Sequence, residues 1–294
     1  MSGGDWFAPL ELRELTIDSA PAACELSIEA GWNQTIEDWW FMIQNGGAAG
    51  LFSVEGALKA TALTVPFEGK FAWISMILVT EAWRRRGLAS NLMRMCIERL
   101  AEAGSTPILD ATEAGRKVYL SLGFLDLYEL DRMANEQVDS RIVSGEVASN
   151  CDVVEMTEGD LDEVTDWDKH RFGADRRPVL KNLFSRSRRF ACLLRDTDRE
   201  LRGYLLGRDG RIATQIGPVV ARETECARQL VGYALDRVNG CVLIDAPLIH
   251  DDFMAMLRGI GFSRQRGFTR MALGRDRPFD RPEEIFAIAG PELG

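Results

Sequence analysis

The stretch from Val79 to Ser90 reads V-T-E-A-W-R-R-R-G-L-A-S and decides how the rest of the chain is interpreted. The apolar run Phe71–Val79 before it predicts a strand. Apolar residues at every fourth position from Leu88 to Leu100 predict an amphipathic helix from Arg85 to Ala101. The first N–H groups of a helix have no partner within the helix, and they bind phosphate groups well. Gly87 lets a bulky anion approach the backbone, and the arginines before it add positive charge. The stretch therefore predicts a cradle for a diphosphate group.

The composition is typical of an ordered globular protein. Of the 294 residues, 46% are hydrophobic and 27% are charged. The formal net charge is −10, and the densest basic cluster is three arginines, so we expect no nucleic-acid partner. The longest apolar runs are too short to cross a membrane, so we expect no membrane association either.

The six cysteines lie far apart and form no C-x-x-C pair. Such spacing argues against a zinc site and against a dense disulfide framework. The N-terminus lacks the basic and then apolar pattern of a secretory signal. We therefore expect a cytoplasmic protein with reduced thiols and no bound metal, and the sequence leaves open whether it forms a homodimer.

The two halves of the chain resemble each other. Four short matches occur in the same order in both halves: Glu14-Leu15-Thr16 with Glu155-Met156-Thr157, the apolar runs that end at Asp110 and Asp245, Gly123-Phe124 with Gly261-Phe262, and Arg132-Met133 with Arg270-Met271. The nearly constant offset indicates two copies of one unit of about 140 residues.

The repeat predicts a domain of residues 1–135 and a second domain of residues 150–275, joined by a polar stretch. Each copy is predicted to contain a strand, two helices, three strands, a helix, a strand, a helix and a strand. The fold class is therefore mixed α/β, a mostly antiparallel sheet flanked by helices. The tail, residues 276–294, contains three prolines and is not expected to form regular structure beyond a turn or two.

Several local signals mark where elements begin and end. Asp18 is predicted to be the N-cap of the first helix, and Thr35 and Thr157 each begin a capping box that predicts a helix. The pair Glu68-Gly69 predicts the turn of a hairpin, and Leu51–Val54 predicts the strand that precedes the hairpin.

The stretch around Gly87 resembles the R/Q-x-x-G-x-G/A signature of the GNAT acetyltransferase superfamily, with Arg84, Gly87 and Ala89 at the three defining positions. The segment Y-L-S-L-G-F from Tyr119 to Phe124 is similar to a Y-x-x-x-G-F segment late in the same fold. The resemblance covers about residues 10–133. The second copy looks like a further GNAT-type fold, so the whole chain resembles the tandem branch of the superfamily.

The resemblance implies that acetyl-CoA is the acyl carrier and co-substrate. It also implies that the backbone of Leu78 and Val79 pairs with the pantetheine arm. The residues expected to form the diphosphate cradle are Arg84, Arg85, Arg86, Gly87, Leu88, Ala89 and Ser90. Tyr119 stands where the family places the acid that protonates the departing thiolate, although a tyrosine there could also cap the edge of the sheet.

The second copy departs from the signature. Its corresponding stretch, Val219–Cys226, has no glycine and contains Glu223 and Glu225, which would repel phosphate. We therefore expect one carrier site for each chain, in the first copy. The second copy is expected to support the fold or to form a wall of the acceptor pocket.

The general base is not identified by the sequence. Many relatives carry Glu or His on the strand that here reads Trp73–Ile77, which has no ionisable side chain. A chain of water molecules could serve instead, and the conceivable side chains are Asp38, Asp110, Asp168 and His170.

Tryptophans and one amide are candidates for the acceptor pocket, because such pockets combine aromatic groups with a few polar ones. Tryptophans are also common in protein cores, so the alternative is ordinary packing. The candidates are Trp32, Asn33, Trp39, Trp40 and Trp73.

These observations favour an N-acetyltransferase that acts on the primary amine of a small molecule by direct attack on the thioester. Two alternatives remain. One is a non-catalytic acyl-CoA sensor or partner-binding module, and the other is an enzyme that acetylates a lysine or the N-terminus of a protein.

Overall fold

The computed structural model describes residue 7, residues 9–138 and residues 151–294. The chain forms two compact units, Met1–Leu109 and Asp110–Gly294. The order of strands and α-helices predicted for one copy occurs twice along the chain, which confirms the duplicated α/β fold.

The first unit is a sheet with helices before and after its central hairpins. Its strands follow the order β1-β2-β3-β4-β5, antiparallel up to β4, whereas β4 and β5 are parallel. In chain order its elements are β1 (Glu11–Glu14), α1 (Ala20–Glu29), α2 (Ile36–Asn45), β2 (Gly47–Phe52), β3 (Leu58–Phe67), β4 (Phe71–Val79), α3 (Leu88–Glu102) and β5 (Thr106–Thr112), whose last three residues belong to the second unit.

The second unit contains the rest of the first copy and the whole second copy. Its strand order is β12-β6-β11-β10-β9-β8-β7, in which only β10 and β11 are parallel, and β13 pairs with β10. In chain order its elements are α4 (Glu113–Ser121), β6 (Phe124–Asn135), β7 (Cys151–Glu155), α5 (Leu161–Phe172), α6 (Arg177–Arg186), β8 (Cys192–Asp196), β9 (Leu201–Asp209), β10 (Thr214–Ala221), α7 (Thr224–Leu235), β11 (Val242–Pro247), α8 (Asp251–Gly259), β12 (Ser263–Leu273) and β13 (Ile285–Ala287).

Local signals fixed several of these boundaries. The Thr35 hydroxyl accepts the N–H of Asp38, and the Asp38 carboxylate accepts the N–H of Thr35, so the predicted capping box is confirmed. The box at Thr157 is also present, ahead of α5. The hairpin turn at Glu68-Gly69 is confirmed, with φ values of 48° and 69°.

Three boundaries differ from the predictions. Asp18 is not an N-cap but lies within a short 3-10 turn, Ile17–Ser19, that precedes α1. Strand β2 begins at Gly47 rather than Leu51, because the small residues of Gly47–Gly50 pair with β3 although they have little strand propensity of their own. Helix α3 begins at Leu88 rather than Arg85.

The tail is more regular than its prolines predicted. Residues Pro282–Glu284 form a 3-10 turn, and Ile285–Ala287 form strand β13, which is fully buried. Backbone pairing with β10 supplies the order that local sequence lacks.

Two buried ion pairs connect the copies. Arg132 of β6 binds both carboxylate oxygens of Asp245 on β11, each at 2.7 Å. Arg270 of β12 binds Asp110 of β5 in the same bidentate manner, at 2.8 and 2.9 Å. These four residues belong to the matched segments of the repeat, and each arginine pairs with the aspartate of the other copy.

Pairing between the two copies explains why the boundary between the compact units does not coincide with the boundary between the sequence repeats. Strand β6 belongs to the first copy but pairs with β11 and β12 of the second, so it lies in the second unit. The predicted domain boundaries describe the repeat and stay a prediction. Most of the polar stretch between them, residues 139–150, lies outside the described residues.

Candidate functional site

The carboxyl end of β4 is where the sequence predicts the carrier arm. β4 pairs with β3 up to Val79, but with β5 only at Phe71–Trp73. Within the described part of this unit, no strand pairs with the β5 side of β4 beyond Trp73. Met76 has a φ of 52°, and the pairing register with β3 shifts beside it, as in a β-bulge that bends the strand. The edge at Leu78 and Val79 can therefore accept an extended ligand.

The loop after β4 has two residues with left-handed backbone. A 3-10 turn at Glu81–Trp83 leads into Arg85, with a φ of 60°, and Gly87, with a φ of 79°. Helical backbone cannot pass through such residues, so α3 starts only after Gly87. A Cβ atom added at Gly87 would meet nothing within 4 Å, which leaves room above the loop for a ligand.

The N-terminus of α3 presents unused donors. The first helical hydrogen bond runs from the N–H of Asn91 to the carbonyl of Gly87, and Gly87 supplies no side-chain cap. The N–H groups of Leu88, Ala89 and Ser90 therefore have no acceptor in the described chain. Ala89 is exposed and Ser90 half-buried, so an anion can reach them. This arrangement suits a phosphate group.

The three arginines differ in what they contact. Arg84 donates to the carbonyl of Val79 at 3.0 Å, and Arg86 donates to the carbonyl of Ala82 at 3.1 Å. The Arg86 guanidinium also lies 4.6 Å from the centre of the Trp83 ring. Arg85 is exposed and has no hydrogen bond or ion pair to the described residues. Arg84 and Arg86 thus shape the loop through one hydrogen bond each, and all the donors of Arg85 are available to a ligand; the binding role of the three arginines stays a prediction.

Glu29, at the end of α1, also fixes the loop, and sequence reasoning missed it. Its carboxylate accepts the N–H of Glu81 and, at 2.8 Å, the hydroxyl of Thr80, and lies 3.8 Å from Arg84. The hydrogen bonds from Glu81 and Thr80 hold the pKa of Glu29 below its usual value. No local signal could have found this contact, because 51 residues separate Glu29 from Thr80.

The corresponding stretch of the second unit is built differently. Strand β10 ends at Ala221, and α7 begins at Thr224 with Glu223 as its N-cap and Glu225 in its first turn. Carboxylates near a helix N-terminus repel a phosphate that the helix would otherwise stabilise there. This geometry agrees with the expectation of a single carrier site, which stays a prediction.

Tyr119 lies in the last turn of α4, in the second unit. Its half-buried ring packs against Phe124, with the ring centres 5.9 Å apart. Its hydroxyl has no hydrogen bond to the described residues. Burial raises the pKa of Tyr119, so the phenol stays protonated at neutral pH. A protonated hydroxyl without a partner is able to donate a proton.

The acceptor-pocket candidates lie in two environments. Trp32 and Asn33 lie in the loop between α1 and α2, where Trp32 is half-buried and Asn33 is buried. The next residue, Gln34, is buried as well, and its Oε1 atom has no partner among the described residues. Trp73 is 1% exposed and packs edge-on against Phe67 and Phe71, which is the environment of a core residue.

The conceivable bases have structural partners, with one exception. Asp38 belongs to the capping box of α2, and Asp110 is bound by Arg270. Asp168 is fully buried and binds Arg176 through both oxygens, at 2.8 Å each. His170 is exposed on α5.

The two tryptophans of α2 also differ in environment. Trp39 donates from its ring N–H to Ser27 in the core, and Trp40 is 38% exposed.

Two features are absent from residues 7, 9–138 and 151–294. No group of three or more His, Cys, Asp or Glu side chains there could hold a metal ion. No helix among the same residues has both the length and the apolar character needed to cross a membrane.

Two family models match the chain. One, described as the acetyltransferase (GNAT) family, matches residues 11–124, and the other, described as an acetyltransferase (GNAT) domain, matches residues 164–287. The two matches fall in the two sequence repeats.

Two curated bacterial proteins are similar over most of their length. The uncharacterized N-acetyltransferase YitH of Bacillus subtilis is 26% identical over 259 residues, which cover 86% of this chain and 88% of that protein. The holothin acyltransferase of a Pseudoalteromonas strain is 27% identical over 244 residues, which cover 80% of this chain and 77% of the relative.

Solved structures share the fold. A Pyrococcus horikoshii protein, provisionally described as an acetyltransferase, has a TM-score of 0.80 at 22% identity, covering 98% of this chain and 97% of that one. A tandem GNAT protein from the clavulanic acid biosynthesis pathway has a TM-score of 0.62 at 13% identity, covering 90% and 98%. The chain therefore belongs to the GNAT acetyltransferase family and carries two GNAT domains in tandem.

Proposed function

We propose that the chain transfers an acetyl group from acetyl-CoA to the primary amine of a small molecule. The observation that carries the proposal is the N-terminus of α3, whose first N–H groups have no acceptor among the described residues, exposed beside Arg85 and Gly87 at the end of a strand that β5 leaves after Trp73. The N–H groups of Leu88, Ala89 and Ser90 would bind the diphosphate of the carrier. The edge of β4 at Leu78 and Val79, where the Val79 carbonyl also accepts a hydrogen bond from Arg84, would bind its pantetheine arm by strand-like hydrogen bonds.

Bound acetyl-CoA supplies a thioester whose carbonyl carbon is attacked by the neutral amine. A C–N bond forms and the C–S bond breaks. The amine nitrogen loses a proton to solvent, the thiolate gains one, and the group that supplied it is reprotonated from solvent. Tyr119 would give the thiolate its proton, because its phenol is protonated and its hydroxyl has no partner in the described chain. General acid catalysis of this kind contributes about 10²–10⁴ in rate.

The acceptor would bind near the loop between α1 and α2. The unpaired Oε1 atom of Gln34 supports this assignment, because a buried acceptor atom gains most from a ligand that donates a hydrogen bond, as an amine does. Trp32 and Asn33 of the same loop would provide an aromatic face and an amide. We assign no general base, since three of the four conceivable carboxylates and histidines have structural partners.

The test is a panel of amines assayed for release of free CoA: aminosugars, polyamines, amino acids, aminoglycosides and holothin, the last because one relative is named for it. Turnover with one class would support the proposal and name the acceptor. Tight CoA binding without turnover on any amine would favour the sensor, and turnover only on peptides would favour protein acetylation.

A further inference from the structure

The gap between β10 and β11 in the second unit is filled by the chain itself. These strands are parallel and paired only at Thr214–Ile216 and Val242–Ile244. Beyond that point β10 continues with β9 on one side and, on the side that β11 has left, β13. The tail therefore enters the space that opens where the two strands diverge.

The tail is hydrogen-bonded to both strands. Ile285 and Ala287 pair with Val220 and Val219 of β10. The N–H of Ile288 donates to the carbonyl of Asp245 on β11, at 3.0 Å. A segment bonded on both sides is an added strand, the mode in which extended peptides bind to sheet edges.

The side chains of the tail complete two cores. Phe286 and Ala287 join the large cluster formed with α7 and α8, and Phe286 lies on the ring of His250 with ring centres 4.0 Å apart. Ile285 and Ile288 pack in a second cluster with Leu130 and Phe268. Because both sets are buried, removing the tail would expose apolar surface in each of the two clusters.

The backbones of the tail and β10 are in close contact. A Cβ atom at Gly217 would lie 2.0 Å from the carbonyl oxygen of Ile288, so only glycine fits there. The gap between β10 and β11 therefore accommodates a polypeptide backbone at this point.

Polar contacts fix the tail along its length. The Nε2 atom of His250 lies 2.9 Å from the carbonyl of Pro282 and 3.0 Å from that of Ile285. Glu284 binds Arg171 at 2.7 Å, and the buried Glu292 binds the buried Arg208. These partners come from α5, from β9 and from the N-cap of α8, so three parts of the second unit contact the tail.

The same gap exists in the first unit, between β4 and β5. There the parallel pairing also covers three residues on each strand, Phe71–Trp73 and Thr106–Ile108, and the edge of β4 beyond it has no strand in the described part of that unit. We propose that residues 279–294 are the resident peptide ligand of the second unit, bound by strand addition at the position that corresponds to the carrier arm in the first unit. One part of this inference rests on the proposed function, namely that the molecule whose place the tail takes is a CoA carrier.

Two features of the second unit then exclude a second carrier molecule from it. The tail occupies the strand edge that a pantetheine arm would need, and the negative charges of Glu223, the N-cap of α7, and Glu225, in its first turn, would repel a diphosphate. The second GNAT fold is thus a peptide-binding fold with its ligand attached.

The experiment cuts the tail free in the folded, full-length protein. Asp276 and Arg277 are exposed, so a site for a specific protease can be inserted between them. After cleavage we expect the fragment to co-elute with the remaining chain on gel filtration and to leave only in denaturant. Ile288→Asp, which places a charge in an apolar cluster, should speed its dissociation at least about a hundredfold. Glu283→Ala changes an exposed residue of the same segment and should leave the rate unchanged.

Loss of the fragment from the cut wild-type chain on gel filtration would overturn the inference, whether or not the remainder stays folded. A second equivalent of CoA bound by the intact wild type would overturn it as well. The proposed function fails on a different result, which is the absence of any CoA binding by the intact chain. The two failures are therefore distinguishable in the same samples.

Discussion

Gly87→Glu tests the carrier site most directly. Gly87 has a φ of 79°, and a Cβ atom there meets nothing within 4 Å, so the new side chain fits but the backbone is strained. A left-handed residue other than glycine costs about 1–2 kcal/mol. A domain of ordinary stability, about 5–15 kcal/mol, tolerates that loss, so the variant should fold.

The effect on carrier binding should be larger. A carboxylate about 6 Å from each of two phosphate charges opposes binding by about 1.4 kcal/mol in total at the dielectric constant of water, and by more near a protein surface. Each backbone hydrogen bond to the diphosphate that the side chain displaces removes about another 1.5–3 kcal/mol. Since 1.4 kcal/mol is about tenfold in affinity, we expect CoA to bind about a hundredfold more weakly or worse.

Gly104→Glu is the matched control. Gly104 follows the other end of α3, has a φ of 66°, and also has open space at its Cβ position. Both variants should lose the same small amount of thermal stability, but calorimetry should show weakened CoA binding only for Gly87→Glu. Unchanged affinity in a folded Gly87→Glu protein, or an equal loss in Gly104→Glu, would refute the assignment of the cradle.

Four further predictions address catalysis, stoichiometry and stability. Tyr119→Phe keeps the ring but removes the proton donor, so turnover should fall about a hundredfold with CoA affinity unchanged; a rate within twofold of wild type would make Tyr119 structural. A calorimetric titration of the intact chain should saturate at one CoA, and two equivalent sites would contradict the reading of the second unit. Arg132→Met leaves the charge of Asp245 buried without its ion-pair partner and should lower the free energy of unfolding by about 3–5 kcal/mol in denaturant titrations. Adding Asp245→Asn should restore part of the loss. Equal stability of the single and double variants would argue against the pair. Burial lowers the pKa of the His250 imidazole below its usual value of about 6.5. Just below that pH the imidazole therefore binds a proton in the unfolded chain but not in the folded one, so stability should fall as the pH drops below about 6.5. His250→Gln should flatten that decline in melting temperature and the exposed His170→Gln should not, so parallel declines in both would remove His250 as the cause.

The sequence alone determined the repeat, the order of elements and the location of the loop. These features depend on local signals: periodic apolar residues, capping boxes at Thr35 and Thr157, and a glycine where the backbone turns left-handed. Each signal acts within a few residues of where it is read, so no knowledge of distant contacts is needed. The same reasoning failed where local propensity was weak, as at Gly47–Gly50, which form a strand only because β3 pairs with them.

Only the tertiary structure decided which distant residues meet. The repeat supplies Asp110 with Arg132 and Asp245 with Arg270, and nothing in the sequence distinguishes pairing within a copy from pairing between copies. The position of β6 beside β11 and β12 makes that choice. Glu29 reaches the loop from α1, and the tail becomes a strand only in the gap that β10 and β11 leave. Such contacts depend on strand order and register, which are set by the packing of the whole sheet and leave no trace in a short window of sequence.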